Sequence, residues 1–316
     1  CRCLQVRRGK AVATSVVLEI NGVRISPVIE GDCYRYLDMD ENLAYDGPLN
    51  KERITSEYYK RVRKVWTSEL SAKNISTAHN SFAVPVLVPT FGILEWTIEE
   101  LEQIDVKTRK LLTSTGNFNR NGDVDRLYLP RNEGGRGLKS LYTTYKARVV
   151  CIHQHLLRAA TNNPYLQKVI HQEQDGICRI ATQLAQSLGL QCDPICPPSK
   201  AGKAVVSAVN KMKKDSFQGK VMHGYTSREM EKKPDVDLPA SLSWFKNSKM
   251  TSELEAYATA IQEQEIRCKF LLKRRQANLG EELIASSKCR LCKTAVEDVC
   301  HIVAGCDKMA ARYYIP

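Results

Sequence analysis

The sequence predicts a mainly α-helical protein with a small β-hairpin at its N-terminus. Three observations carry this. From about residue 50 onward, apolar residues recur at helical spacing. Two Ser/Thr-x-x-Glu patterns, Thr97 with Glu100 and Ser252 with Glu255, mark helix starts. Near the N-terminus one Asn-Gly pair, Asn21-Gly22, separates two β-branched runs, the strongest short-range hairpin signal.

The elements follow in order. "VATSVVLEI" and "VRISPVI" are the arms of the hairpin, and "CYRYLDM" (33–39) reads as a third strand. After Pro48 the pattern turns helical. Ile54, Tyr58, Val62, Val65 and Leu70 share one face, with Lys60 and Lys64 pointing away. A second helix spans about 74–95, with Pro85 and Pro89 expected to kink it. A third runs from Thr97 to a stop at Gly116. Its expected buried stripe is Ile98, Leu101, Ile104, Thr108 and Leu111, with Lys107, Arg109 and Lys110 off it. Residues 122–138 read as a polar loop whose glycines let the backbone bend or approach a partner.

Helical segments are expected at about 140–160 and 173–188. The proline-rich stretch 190–200 reads as a linker. From its last residue onward lie six lysines, at 200, 203, 211, 213, 214 and 220. A long helix starts near Ser252 with a stripe of Leu254, Tyr257, Ala258, Ile261, Cys268 and Leu272. The expected organisation is a β-hairpin unit at 1–48, helices at 49–189, the linker at 190–200, a second helical unit at 201–286 and a metal-binding segment at 287–316.

Composition narrows the function. The 316 residues carry 47 Lys and Arg against 35 Asp and Glu, a net charge of +12. That excess points to a polyanionic partner, RNA or DNA. The longest apolar run, 82–96, is interrupted by Pro85, Pro89 and Glu95 and is too short to span a bilayer, so no membrane partner is expected. Most of the twelve cysteines are scattered, and no signal-peptide pattern precedes them. A reducing, intracellular setting is therefore expected, nuclear if the partner is chromosomal DNA.

The exception is "CRLCKTAVEDVCHIVAGC". Cys289, Cys292, His301 and Cys306 stand in the spacing C-x2-C-x8-H-x4-C. Two cysteines two residues apart reach one ion from a tight turn, and a histidine and a third cysteine complete a tetrahedral Cys3His set. Four protein ligands leave no open position, so a structural Zn²⁺ is expected. Cys300 could replace a ligand, but neighbours on a helix diverge by about 100°, so only one of Cys300 and His301 should face the metal; His301 is the expected ligand and Cys300 is expected outside the shell. Cys192 and Cys196 have no histidine nearby, and Cys1 and Cys3 have no second half, so neither pair reads as a ligand pair. The chain shows no phosphate-binding Gly-Lys loop, nucleophile elbow or H-E-x-x-H, and His153 and His155 diverge at i,i+2. No small-molecule substrate is expected.

Several stretches resemble the reverse transcriptase polyproteins of non-LTR retrotransposons, in the lineage with a C-terminal restriction-like endonuclease. "GDCYRYLDMDEN" (31–42) is similar to the primer-grip hairpin, although Asp38 stands where the family usually has Gly. "FGILEWTIEELEQIDVKTRKLLT" (91–113) is similar to thumb helices. "DVDRLYLPRNEGGRGL" (123–138) is the most specific match, and residues 243–274 resemble the segment between thumb and knuckle. The Cys-Cys-His-Cys motif resembles the family's zinc knuckle.

The resemblance implies a palm edge, a helical thumb, a helical linker domain and a knuckle. It also implies nucleic-acid contacts by Arg61, Arg63, Lys64, Lys107, Arg109, Lys110, Arg131 and Arg136. The family's aromatic-x-Asp-Asp turn, which holds two metal ions for polymerisation, does not occur in the sequence. The chain is therefore expected to be a nucleic-acid-binding portion of such a polyprotein. The alternative is a host protein recruited from one as a zinc-stapled interaction module. With primer, template and magnesium, the purified chain is expected to yield no extension product above a buffer control, and processive extension would contradict the reading.

Overall fold

A computed structural model describes residues 2–3, 5–8, 10–12, 17–27, 34–36, 39–41, 47–172, 176–191, 193, 195–247, 249–279 and 286–314. It is mainly helical, with short strands confined to the N-terminal 41 residues. Strand β1 (Arg2–Cys3) runs parallel to residues 26–27, while β2 (Gln5–Arg7) and β3 (Lys10–Val12) form their own antiparallel pair. The predicted hairpin is β4 (Leu18–Ile20) against β5 (Val23–Pro27), with Ile20 opposite Val23. Asn21 (φ 51°) and Gly22 (φ 75°) are both left-handed, the conformation a type I′ turn requires. "CYRYLDM" is not a third strand of this sheet. Tyr34–Tyr36 (β6) pairs with Met39–Glu41 (β7) as a separate hairpin, and Cys33 and Asp38 lie outside the described residues.

Helix α1 (Gly47–Trp66) turns in Ile54, Tyr58, Val62 and Val65, as its periodicity predicts, but ends before Leu70, which is exposed. α2 (Ala72–Ala78) passes into a π-turn at His79–Ala83 and 3-10 turns at Val84–Val86 and Val88–Gly92. This is where Pro85 and Pro89 remove helical hydrogen bonds. The indole of Trp66 donates to His79 Nδ1 at 3.2 Å. Burial pushes the His79 pKa down to about 4, so the ring is neutral and accepts. α3 (Ile98–Ser114) opens on the predicted capping box: Thr97 accepts from Glu100 N, and Glu100 accepts from Thr97 N. Its buried face is Leu101, Ile104, Asp105, Thr108 and Leu112. Of the others expected in the stripe, Leu111 is half-buried and Ile98 is exposed.

The expected loop 122–138 is ordered by a short helix, α4 (Val124–Tyr128), capped by Asp123, and a 3-10 turn at Arg131–Glu133. α5 (Leu141–Ala160), α6 (Pro164–Gln172) and α7 (Ile177–Ser187) follow. α8 (Pro198–Gly219) starts inside the stretch expected to be a linker. Val205 and Ala201 belong to the same core as Leu141, Val149 and Leu184, so 190–200 turns the chain between packed helices rather than separating two cores. A Cβ at Gly202 would stand 2.4 Å from Cys151 Sγ, which fixes how closely α8 approaches α5.

Short helices α9 (Tyr225–Lys232), α10 (Leu238–Ser241) and α11 (Trp244–Asn247) lead to α12 (Ser252–Gln262). The long helix expected from residue 252 is broken. Gln264 adopts φ 61° and the chain restarts as α13 (Lys269–Leu279). The expected stripe is also turned over: Leu254 and Tyr257 are exposed, while Glu255, Ala256, Thr259 and Ala260 face inward. Thr251, not Ser252, caps the helix, and Glu255 closes no capping box.

Glu255 has a different task. It is fully buried and binds two arginines of the 123–138 segment. Arg136 Nε donates to Glu255 Oε1 at 2.9 Å, and its other nitrogens donate to Asn117 O, Ser252 O and Ser252 Oγ. Arg131 donates to both Glu255 carboxylate oxygens, to Phe245 O at 2.6 Å and to Arg136 O at 3.0 Å. Arg126 reaches the next turns of α12, at Thr259 O, Gln262 and Glu263.

The glycines serve the same packing. Gly134 (φ 79°) and Gly137 (φ 73°) are left-handed, and a Cβ at Gly135 would lie 2.1 Å from Leu129 O. Glu255→Ala leaves two buried guanidiniums without their carboxylate, and breaking a buried pair from one side costs about 3–5 kcal/mol. A loss of that size in urea-unfolding stability is the expected result. A loss below about 1 kcal/mol would mean the arginines find other partners.

Candidate metal centre and nucleic-acid interface

The last described segment folds back on α13. An antiparallel bridge pairs Lys288 with Val296, and Cys289 N donates to Ala295 O at 2.8 Å. Lys293 follows Cys292 in a left-handed conformation (φ 62°), which closes the tight turn that C-x2-C requires. Asp298 accepts from His301 N at 2.7 Å and starts a π-turn over His301–Gly305, which carries the chain to Cys306.

The result brings four donors together. Cys289 Sγ lies 3.9 Å from Cys306 Sγ, Cys292 Sγ lies 3.3 Å from His301 Nε2, and all four ligand atoms lie within 4.8 Å of one another. A tetrahedral ion with bonds of about 2.3 Å to sulfur and about 2.0 Å to nitrogen sets ligand–ligand edges of about 3.5–3.8 Å. The 3.9 Å sulfur separation is far beyond a disulfide bond of about 2.05 Å. The cluster can hold a metal ion, and its soft donor set fits zinc. The Thr294 hydroxyl and the N–H groups of Ala295 and Thr294 pull the Cys292 thiol down to about 5, toward the thiolate a metal needs. Cys300 is exposed and outside the cluster, as expected.

The segment has no separate apolar core. Val299 and Ile302 pack on Cys268, Leu271 and Ile261 of the preceding helices. Glu297 is buried and joins the two parts: it accepts from Lys269 N at 3.0 Å and from the backbone and side chain of Arg290. The Arg290 guanidinium holds its carboxyl down at about 2. Sequence reading missed Glu297, whose only signal was an acid midway between ligand pairs.

The expected nucleic-acid residues divide in two. Arg63, Lys64, Lys107 and Lys110 are exposed on α1 and α3. Arg63 and Lys107 line a groove between these helices that also holds Tyr59, Glu52 and Glu100, with Lys107 Nζ 4.5 Å over the Tyr59 ring. Arg61 is half-buried, bonded to Glu57 and Phe82 O. Arg109 donates to the Tyr128 hydroxyl at 2.9 Å. Arg131 and Arg136 correct the expectation. Both are committed to Glu255, Arg136 is 1% exposed, and neither offers a free guanidinium to phosphate. Asp123 and Asp125 pair with Lys220 rather than forming an acidic site.

Comparison with protein-family models and with curated proteins gives no match for this chain. Metal analysis tests the cluster. One ion per chain is expected in the wild type and in Cys300→Ser, and none in Cys292→Ser. Loss in Cys300→Ser with retention in His301→Ala would overturn the ligand assignment.

Proposed function

We propose that this chain is a nucleic-acid-binding portion of a non-LTR-type reverse transcriptase polyprotein, with a structural Zn²⁺ at its C-terminal knuckle and no polymerase centre of its own. The observation that carries the reading is the Cys-Cys-His-Cys cluster, assembled at the end of a chain with a net charge of +12. The stretches resembling the thumb and the segment before the knuckle support it. The ion is structural in this reading because four protein ligands fill its shell and leave no place for a reacting water. Its task is to hold a short segment with little core of its own against α13.

The exposed cations of α1 and α3 would meet the phosphates of a template–primer duplex. No helix among the described residues is long and apolar enough to cross a membrane. Binding to an RNA–DNA hybrid duplex should show little sequence preference and fall steeply with salt, because each neutralised phosphate releases condensed counterion. Changing Arg63, Lys107 and Lys110 together to Ala should lower the slope of log K against log salt by about 2 to 3, at about 0.9 per phosphate contact. Absence of salt-dependent binding by the wild type would refute the nucleic-acid reading. An unchanged slope in the variant would place the duplex elsewhere.

A further inference from the structure

A second groove lies between α5 and α8, with Tyr128 and Pro130 also in its lining. Its volume is about 910 Å³, at the upper end of the range that holds a drug-sized ligand. The floor is apolar, formed by Val88, Leu138, Ala147 and Val206. The rim is cationic: Lys139 and Arg148 stand on one side, and Lys203, Lys211 and Lys213 on the other. Among the described residues no carboxylate lies within ion-pair distance of these five, and Glu133 is the one acid in the lining. Lys214, also in the lining, pairs with Glu231 at 3.2 Å. The α1–α3 groove differs, since Glu52 and Glu100 line it and Lys51 is tied to Glu100 at 2.7 Å.

Lys213 sits deepest in the rim. Its ammonium lies 4.5 Å over the Tyr128 ring and 3.4 Å from Thr143 Oγ1. Burial lowers its pKa, against the fields of Asp105 and Asp125. An unpaired ammonium drawn out of water is stabilised by an incoming anion. The groove is also stiff, because Gly202 lets α8 close on Cys151 and Cys151 Sγ donates to Pro198 O at 3.0 Å.

We infer that this groove binds a single-stranded segment of RNA or DNA, with the phosphates along the lysine and arginine rim and the bases toward the apolar floor. From Lys203 to Lys213 the helix rises about 15 Å at 1.5 Å per residue. That length spans several phosphates of one strand and exceeds what one mononucleotide could neutralise. A duplex keeps its bases paired and offers the floor nothing, whereas a single strand presents both charge and base faces. The inference rests on the nucleic-acid reading above and assigns it a second site, distinct from the duplex face of α1 and α3.

The test uses the full chain and labelled 12-mers of uridine and of thymidine, with a hybrid duplex of the same length, titrated by fluorescence anisotropy over a range of salt. Arg148, Lys203 and Lys211 are all exposed, so the triple Ala variant should keep its circular dichroism spectrum and melting temperature. With single strands its salt slope should fall by about 2, at about 0.7 per contact. The Arg63/Lys107/Lys110 variant should leave that slope unchanged. The uridine and thymidine arms show whether the strand is RNA, DNA or either. If the wild type binds single strands and the groove variant keeps the full slope, the groove inference is wrong while the nucleic-acid reading stands. If the groove variant loses duplex and single-strand binding equally, the single-strand assignment is wrong. If the wild type binds neither, both readings fail.

Discussion

Glu255 joins the 123–138 segment to α12 from a fully buried position. A single buried carboxylate accepts from Arg131 and Arg136, and those arginines tie α12 to the 123–138 segment and to the end of α3 at Asn117. Arg126 repeats the arrangement two turns later at Glu263, whose other oxygen accepts from Asp123 N at 2.8 Å. Taking these charges out of water is costly, so each is stabilised only by a complete set of partners. The guanidinium suits this task because its planar fork donates to a carboxylate and several carbonyls at once. Once α12 is fixed, α13 follows through Ile261 and Cys268, and the metal cluster packs on that surface through Val299.

The molecule therefore uses its two cations differently. Arginines of the most motif-like stretch turn inward and hold the fold. Lys203 and Lys211 of α8, which match no motif, stay at the surface, and among the described residues no carboxylate lies within ion-pair distance of them. A lysine carries a point charge on a flexible stem and can follow a phosphate without fixed geometry. The net positive charge thus serves both structure and the proposed ligand, and the sign alone does not say which residue serves which.

What could be read from sequence followed the range of the interaction. The Asn21-Gly22 turn and the Thr97–Glu100 capping box depend on neighbours within three residues, and both were legible. The cluster at Cys289, Cys292, His301 and Cys306 was legible because metal geometry imposes spacing. The fate of Arg136 was not, since its partner is 119 residues away. The same distance inverted the reading of α12: Leu254 and Tyr257 looked like its core face, but the buried Glu255 sets the rotation. The break at Gln264 carried no Gly or Pro to announce it, and the prolines of 190–200 marked a turn between packed helices that resembles a linker in composition. The α5–α8 groove was hidden for the same reason, because its two walls are far apart in the chain.

Residue-selective labelling read by mass spectrometry separates inward arginines from outward lysines. In the free protein, an acylating reagent should modify Lys203 and Lys211, and a saturating single-stranded 12-mer should protect them. An arginine-selective dicarbonyl should leave Arg126, Arg131 and Arg136 unmodified with or without the oligonucleotide. Reaction of Arg131 and Arg136 in the free protein, followed by their protection when the oligonucleotide binds, would contradict the account.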